Sequence, residues 1–157
     1  MTATLPTVNA VELRVINGCH VVASSGCHRY NFWNDQAVFD GRDDTGWCSP
    51  SRTAPQDEFL LVDLGRETIP RAVAIQRRPA PNLTTGFPRA LTVSAVREEE
   101  ATPLLRAHGV AAEAGEWWQS DLELHVQTRQ LLVTMPNIDR RASGSYFMQI
   151  MGLRIYE

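Results

Sequence analysis

The chain has 157 residues, of which 43% are hydrophobic and 21% charged, and its formal net charge is −3. This length and composition predict a single globular domain spanning residues 1–157 and exclude a low-complexity or disordered chain. So small a net charge gives no electrostatic reason to expect a nucleic acid or a membrane surface as partner. All 15 basic residues are arginine, which favours planar donors suited to carboxylates, phosphates and vicinal hydroxyls.

The N-terminal residues and the cysteines indicate the compartment. No basic segment followed by an apolar run occurs at the N-terminus, and no stretch approaches the ~20 apolar residues of a membrane span. The three cysteines, Cys19, Cys27 and Cys48, are an odd number, which argues against a disulfide framework. These features predict a cytoplasmic protein with free thiols. The best candidate for a reactive thiol is Cys27, which precedes His28 and Arg29.

Short segments with strand character recur about every ten residues. Several of them alternate apolar and polar residues, as half-buried strands do, and turn-forming clusters lie between them. The predicted strands are 11–16, 20–25, 58–64, 72–77, 90–96, 122–127, 130–135 and 146–156. Eight short strands without a long helix predict an all-β protein, an antiparallel sandwich or barrel.

Residues 97–116 have a helical composition, but Pro103 and Gly109 interrupt it. They are therefore predicted to form a long connection with at most a short helix. The adjacent Trp117 and Trp118 would face opposite sides if they lie on a strand. An exposed Trp118 would then provide a surface for a protein partner or a homodimer. The alternative is that both rings are partly buried against the long connection.

The segment AVFDGRDDTGWCSP holds three aspartates, Asp40, Asp43 and Asp44. Two interpretations are open. In the first, Asp40, Asp43 and the hydroxyl of Thr45 coordinate calcium, which prefers six to eight oxygen ligands. In the second, Asp40 and Asp43 accept hydrogen bonds from backbone amides of a tight turn, and Trp47 packs below it as core. In both, Asp44 is the carboxylate left free.

The segment HRYNFWND combines polar donors with aromatic rings, and it lies between a predicted strand and the aspartate segment. Such a composition between two structured elements is typical of an exposed binding loop. The candidate ligand-binding residues in it are His28, Arg29, Tyr30 and Trp33. For Trp33, a place in the core is the alternative.

Six segments carry a resemblance to a known family. They are ASSG (23–26), AVFDGRDDTGWCS (37–49), EFLLVDLGR (58–66), IPRAVAIQRR (69–78), FPRALTVSAV (87–96) and YFMQIMGLRIYE (146–157). In this order they resemble the blocks of the discoidin domain, also called the coagulation factor V/VIII C-type domain, a family that includes the family 32 carbohydrate-binding modules. The resemblance implies an eight-stranded antiparallel jelly-roll sandwich of the galactose-binding-domain-like fold, with ligand loops at one end.

The resemblance also implies a function and a set of site residues. It implies a lectin-like domain that binds a carbohydrate or another small polar ligand. Arg78 and Asn82 loosely match the arginine and asparagine of sugar-binding relatives, and Tyr146 or Trp33 is the expected aromatic platform. One structural calcium is implied in the aspartate segment, although Gly152 stands where relatives have an acidic residue. No other cofactor is predicted.

Two further interpretations of the function stay open. No nucleophile elbow, phosphate loop or HExxH motif occurs in the sequence, so the residues do not decide whether the domain is an enzyme. One alternative is a small cytosolic cyclase, isomerase or lyase of secondary metabolism that uses the same loop pocket, with His28, Asp43 or Asp44 as candidate catalytic groups. The other is a protein-interaction scaffold.

Overall fold

The computed structural model describes residues 12–28, 33–80 and 86–157. In these residues the chain forms ten strands and one 3-10 helix, and no helix is long and apolar enough to cross a membrane. The 3-10 helix is Asp35–Phe39. The strands are β1 (His20–Ser24), β2 (Trp47–Cys48), β3 (Gln56–Thr68), β4 (Ala72–Gln76), β5 (Ala90–Arg97), β6 (Glu100–His108), β7 (Trp117–Asp121), β8 (Thr128–Asn137), β9 (Gln149–Ile150) and β10 (Gly152–Tyr156).

The strands pair into three antiparallel sheets, which confirms the predicted all-β class. A five-stranded sheet has the order β1-β3-β8-β5-β6, a three-stranded sheet has the order β10-β4-β7, and β2 pairs with β9. Alternation along the long strands directs Leu60 and Val62 of β3 and Leu131 and Val133 of β8 into one core with Ile75 of β4. Burying each such side chain contributes about 1.5–3 kcal/mol relative to leaving it exposed.

The prediction that residues 97–116 form a long connection is wrong, because β6 lies in this segment and forms a hairpin with β5. Glu98 and Glu99 at its turn both have positive φ, 50° and 66°, which is the backbone of a type I′ turn usually marked by Asn or Gly. Pro103 lies in β6, an edge strand, and the β5–β6 register shifts between Val93 and Ser94. An edge strand beside a bulge tolerates proline, because the backbone N–H that proline lacks is not needed for strand pairing there.

Two other predicted strands also differ from the structure. In the described part of 11–16, Val15 makes an isolated antiparallel bridge with Tyr156, and the rest forms no strand. The alternating segment 122–127 is irregular, although its pattern predicts a strand. Two of its backbone N–H groups donate to the carbonyl of Leu104, so this segment turns away from the sheet that contains β7.

The tryptophan pair lies on β7 with its rings on opposite sides of the sheet, as the strand pattern predicts. Trp118 is half-buried and packs against the main core. Both rings are thus partly buried, as the second interpretation of the pair has it, and Trp118 does not provide the exposed surface of the first. Trp117 faces outward, and the guanidinium of Arg154 lies 4.0 Å from its ring centroid. A Cβ atom at Gly152 would lie 2.5 Å from the Trp117 ring, so this close approach requires glycine.

Candidate functional site

A small buried cluster of rings and sulfur atoms lies apart from the main core. This group, called here the ring cluster, consists of Trp33, Cys48, Phe147 and Met151. Trp33 is held by a bridge to Gly46, where a Cβ atom would lie 2.6 Å from the carbonyl oxygen of Ile150. The glycine therefore lets the aspartate segment pass close to the last part of the chain, and the pairing of β2 with β9 fixes the two segments together.

Two arginines stack on the rings of this cluster. The guanidinium carbon of Arg78, which follows β4, lies 5.1 Å from the centroid of Trp33. That of Arg141, in the loop between β8 and β9, lies 3.2 Å from the centroid of Phe147. Both distances are within the ~6 Å of a cation–π contact. Trp33 is only 6% exposed, so its ring supports Arg78 from below instead of presenting an open face.

Positive charge is concentrated at the ring cluster. Burial lowers the pKa of Arg141, and the nearby charge of Arg78 lowers it further. The Nε and Nη2 atoms of Arg141 are buried without a hydrogen-bond partner in the part of the chain that the structure describes. Burial also raises the pKa of the Cys48 thiol to about 12. This thiol is therefore uncharged at neutral pH and does not balance the two arginines.

The structure places His28 at the ring cluster, whereas Tyr146 pairs with Arg52. The backbone N–H of His28 donates to the carbonyl of Cys48 at 2.8 Å, and the His28 ring lies 6.5 Å from that of Phe147. Tyr146 exchanges two backbone hydrogen bonds with Arg52, at 2.7 and 2.9 Å. Of the two adjacent aromatic residues, Phe147 is therefore the one that belongs to the ring cluster.

Three predicted ligand-binding residues, Arg29, Tyr30 and Asn82, lie outside the described residues. Two members of the site, in contrast, were not among the predictions. Arg141 falls in the segment NIDRRASG, whose composition indicates a turn, and Phe147 falls in a predicted strand. Neither pattern distinguishes these residues from surface arginines and core aromatics, because their contacts come from distant parts of the chain.

The three cysteines are free thiols in the structure. Burial raises the pKa of Cys27, and the charge of Asp35 raises it further. Burial likewise raises the pKa of Cys19 to about 11. Because the thiolate is the reactive form, the raised pKa argues against Cys27 as the candidate for a reactive thiol. Of its two sequence neighbours, Arg29 lies outside the described residues.

The aspartate segment forms a hydrogen-bonded turn after the 3-10 helix. One carboxylate oxygen of Asp40 accepts from the backbone N–H of Arg42 at 2.9 Å, and the other accepts from the hydroxyl of Thr45. The guanidinium of Arg42 donates to both oxygens of Asp44, at 2.9 and 2.8 Å, and this bonding lowers the pKa of Asp44. The prediction that Asp44 is left free is therefore wrong.

The oxygen atoms of the aspartate segment fit the hydrogen-bonded turn better than they fit calcium. Among the described residues, no three His, Cys, Asp or Glu side chains come together as metal ligands would. Both carboxylate oxygens of Asp40 already accept hydrogen bonds from the protein, and the ring of Trp117 lies close over Gly152. Calcium held by Asp40, Asp43 and Thr45 stays a prediction from the sequence.

Asp40→Ala is expected to destabilise the fold by about 0.5–1 kcal/mol in buffer containing EDTA, because the hydrogen bonds of the turn act without a metal. Urea denaturation followed by circular dichroism measures this loss. Asp43→Ala is the matched control, since it removes a carboxylate of the same loop that makes none of the hydrogen bonds of Asp40. A loss that occurs only after calcium is added would instead assign Asp40 to the metal.

A cavity lined by described residues lies elsewhere, between β10, residues 15–19 and the aspartate segment. Its volume is about 430 Å³, and Gln76, Trp117 and Arg154 are among the residues that line it. Arg154 covers the Trp117 ring there, as Arg78 and Arg141 cover the rings of the ring cluster. The cavity shares only Met151 with the ring cluster. We take the ring cluster with its two arginines as the candidate site, because the predicted residues His28, Trp33 and Arg78 meet there.

The topology and the packing define an antiparallel β-sandwich of the galactose-binding-like class. The model of the F5/8 type C domain family matches residues 20–102. The chain thus belongs to the F5/8 type C domain family, as its sequence segments predict. No curated protein matches the chain.

Solved structures of the same fold include two proteins from Clostridium perfringens and one from Saccharomyces cerevisiae. The family 32 module of NanJ, in complex with galactose, has a TM-score of 0.73 at 17% identity and covers 93% of this chain and 100% of that one. CpGH89CBM32-5, in complex with GalNAc-beta-1,3-galactose, has a TM-score of 0.68 at 9% identity, over 92% and 95%. Allantoicase from Saccharomyces cerevisiae has a TM-score of 0.65 at 13% identity, over 92% of this chain and 43% of that one. At these identities the similarity confirms the fold alone.

Proposed function

We propose that this domain binds carbohydrate at the ring cluster, with Arg78 as the central hydrogen-bond donor. The observation that carries the proposal is the stack of the Arg78 guanidinium on the buried ring of Trp33, at 5.1 Å. A planar guanidinium offers its N–H donors as a fork that suits two neighbouring hydroxyl groups. A side chain held by a cation–π contact loses less entropy when a sugar binds than an unrestrained one would.

Other side chains near Arg78 complement this chemistry. His28 lies beside Phe147, which places an imidazole and a partly buried aromatic ring at the same cluster. Sugar-binding sites combine polar groups for the hydroxyls with aromatic side chains, and this cluster holds both kinds of group. Two of the proteins of the same fold are described as complexes with galactose or with a galactose-containing disaccharide, and this supports a sugar as the ligand.

Three predicted ligand-binding residues outside the described part remain candidates by their positions in the sequence. Arg29 and Tyr30 lie between His28 and Trp33 in the sequence, and Asn82 follows closely after Arg78. Their neighbours in the chain belong to the candidate site, so they remain candidates for further hydrogen bonds to the sugar. Tyr146 remains a predicted aromatic platform.

Arg78→Ala is expected to weaken sugar binding at least about tenfold, because a hydrogen bond from a charged donor contributes about 1.5–3 kcal/mol. The measurement starts with a glycan array that carries neutral, amino and acidic sugars. Titration calorimetry on the best ligand then gives the affinities of the wild type and the variant. Thermal unfolding of both proteins verifies that the fold is intact.

The matched control is Arg106→Ala, which removes the same charge from an exposed position of β6. It is expected to bind as the wild type does. Equal affinities of the wild type and Arg78→Ala would contradict the proposed site. A glycan that is converted to a product during the incubation would favour the enzyme alternative over binding alone.

A further inference from the structure

Arg78 and Arg141 have no acidic partner. All 18 Asp and Glu residues lie in the part of the chain that the structure describes. The arginines that form ion pairs with them there are Arg42, Arg52, Arg66, Arg89 and Arg129. Arg78 and Arg141 form none of these ion pairs, and they are two cations that contact the rings of one buried cluster.

Packing forces these two cations together. Trp33 and Phe147 belong to one cluster, and each carries one guanidinium on its face, so the two guanidiniums share a small region. Like charges in partly desolvated surroundings repel each other. Burial lowers the pKa of Arg141, Cys48 acts in the opposite direction, and the charge of Arg78 lowers it further, as two guanidiniums close together require.

The cation–π contacts alone do not explain why two guanidiniums lie together at this cluster without an acidic partner. A cation–π contact is a modest attraction, whereas burying a charged group whose polar atoms lack hydrogen-bond partners is strongly unfavourable. Arg141 buries two such atoms, Nε and Nη2. Cys48, the neighbour of both arginines, contributes only a neutral thiol. An unneutralised pair of this kind is characteristic of a ligand site.

We infer that the ligand of this domain carries a negative charge, a carboxylate or a sulfate on a sugar, which binds between Arg78 and Arg141. This inference rests on the proposed sugar-binding function and specifies its ligand class. The planar forks of two arginines match the oxygen atoms of either anion. Both side chains are partly exposed, so the anion reaches the exposed N–H groups from solvent, beside the buried Nε and Nη2 of Arg141, while the sugar ring remains near Phe147.

Pairs of sugars that differ only in charge test the inference. Titration calorimetry compares galactose with galacturonate, glucose with glucuronate, and galactose with galactose 6-sulfate, at low and at high sodium chloride. We expect at least one acidic member to bind about tenfold more tightly than its neutral partner at low salt. The preference is expected to shrink at high salt, because partly exposed charges are screened.

Variants of both arginines localise the effect. Arg141→Gln is expected to weaken binding of the acidic sugar more than binding of its neutral partner, so that the preference is lost. Arg141→Lys keeps the charge but not the fork, and is expected to retain part of the preference. Arg106→Ala, the control with the same loss of charge, is expected to keep all of it.

The outcomes separate this inference from the proposed function. A preference for galacturonate or glucuronate identifies the anion as carboxylate, and a preference for the 6-sulfate identifies it as sulfate. Equal binding within every pair, or a preference that persists in Arg141→Gln and in Arg78→Gln, overturns the inference and leaves sugar binding intact. Absence of binding to any sugar of the array and of the pairs overturns both.

Discussion

Trp47→Ala is expected to lower the free energy of unfolding by about 3–5 kcal/mol, as large-to-small substitutions at buried aromatic sites do. Trp47 is 0% exposed and is among the largest fully buried side chains among the described residues. Its indole Nε1 donates to the carbonyl of Gly26 at 2.9 Å. The substitution therefore creates a cavity and also leaves a carbonyl without its donor. Urea denaturation followed by far-UV circular dichroism measures the loss.

Two further substitutions separate the causes of this loss. Trp47→Phe keeps much of the ring volume but removes the hydrogen bond to Gly26, so it is expected to cost less than Trp47→Ala. Trp117→Ala, at a half-buried ring on the outer face, is expected to cost less than Trp47→Ala as well. A Trp47→Ala variant whose stability stays within about 1 kcal/mol of the wild type would contradict the central packing role of this residue.

Arg52→Met is expected to destabilise the fold by about 3 kcal/mol, because it leaves the buried carboxylate of Glu58 without its countercharge. Glu58 is 0% exposed, whereas the side chain of Arg52 is 22% exposed. Arg52 donates to both carboxylate oxygens, at 2.8 and 3.2 Å, and Asn137 donates to one of them at 2.8 Å. Arg52 also donates to the carbonyl of Ser25 at 2.8 Å, so the ion pair joins β3, β8 and the segment after β1.

A double variant and an exposed control test this explanation. Arg52→Met combined with Glu58→Met is expected to be more stable than Arg52→Met alone, since no unpaired charge stays buried. Arg42→Met removes a salt bridge between two side chains that are 64% and 67% exposed, and it is expected to change stability little. Equal losses in Arg42→Met and Arg52→Met would show that burial of the pair is not the cause.

Local patterns predicted much of the fold. Alternation identified β5 of the five-stranded sheet, because a strand with one buried face must alternate. The turn of the aspartate segment followed from Asp40, whose carboxylate caps backbone and hydroxyl groups nearby in the sequence. Trp47 below it belongs to the core, as the second interpretation of that segment predicts. Each of these features depends on residues that are close in the chain.

Features that depend on distant residues were missed. Glu98 and Glu99 make a tight hairpin turn although neither is a usual turn residue, because the pairing of β5 with β6 compensates for their unfavourable backbone. The segment 122–127 alternates as a strand does, but it is irregular because its N–H groups find acceptors on β6. Tertiary hydrogen bonds outweigh such local preferences.

The sequence by itself determined the class of this protein, an all-β domain of the F5/8 type C family. It also predicted the turn of the aspartate segment and the positions of long strands. Only the tertiary structure decided the candidate site. It placed Arg78 on Trp33 and Arg141 on Phe147, and it left both arginines without a carboxylate. The reason is that a strand pattern records which face of a segment is buried, whereas the partner of an arginine depends on which distant segments pack together.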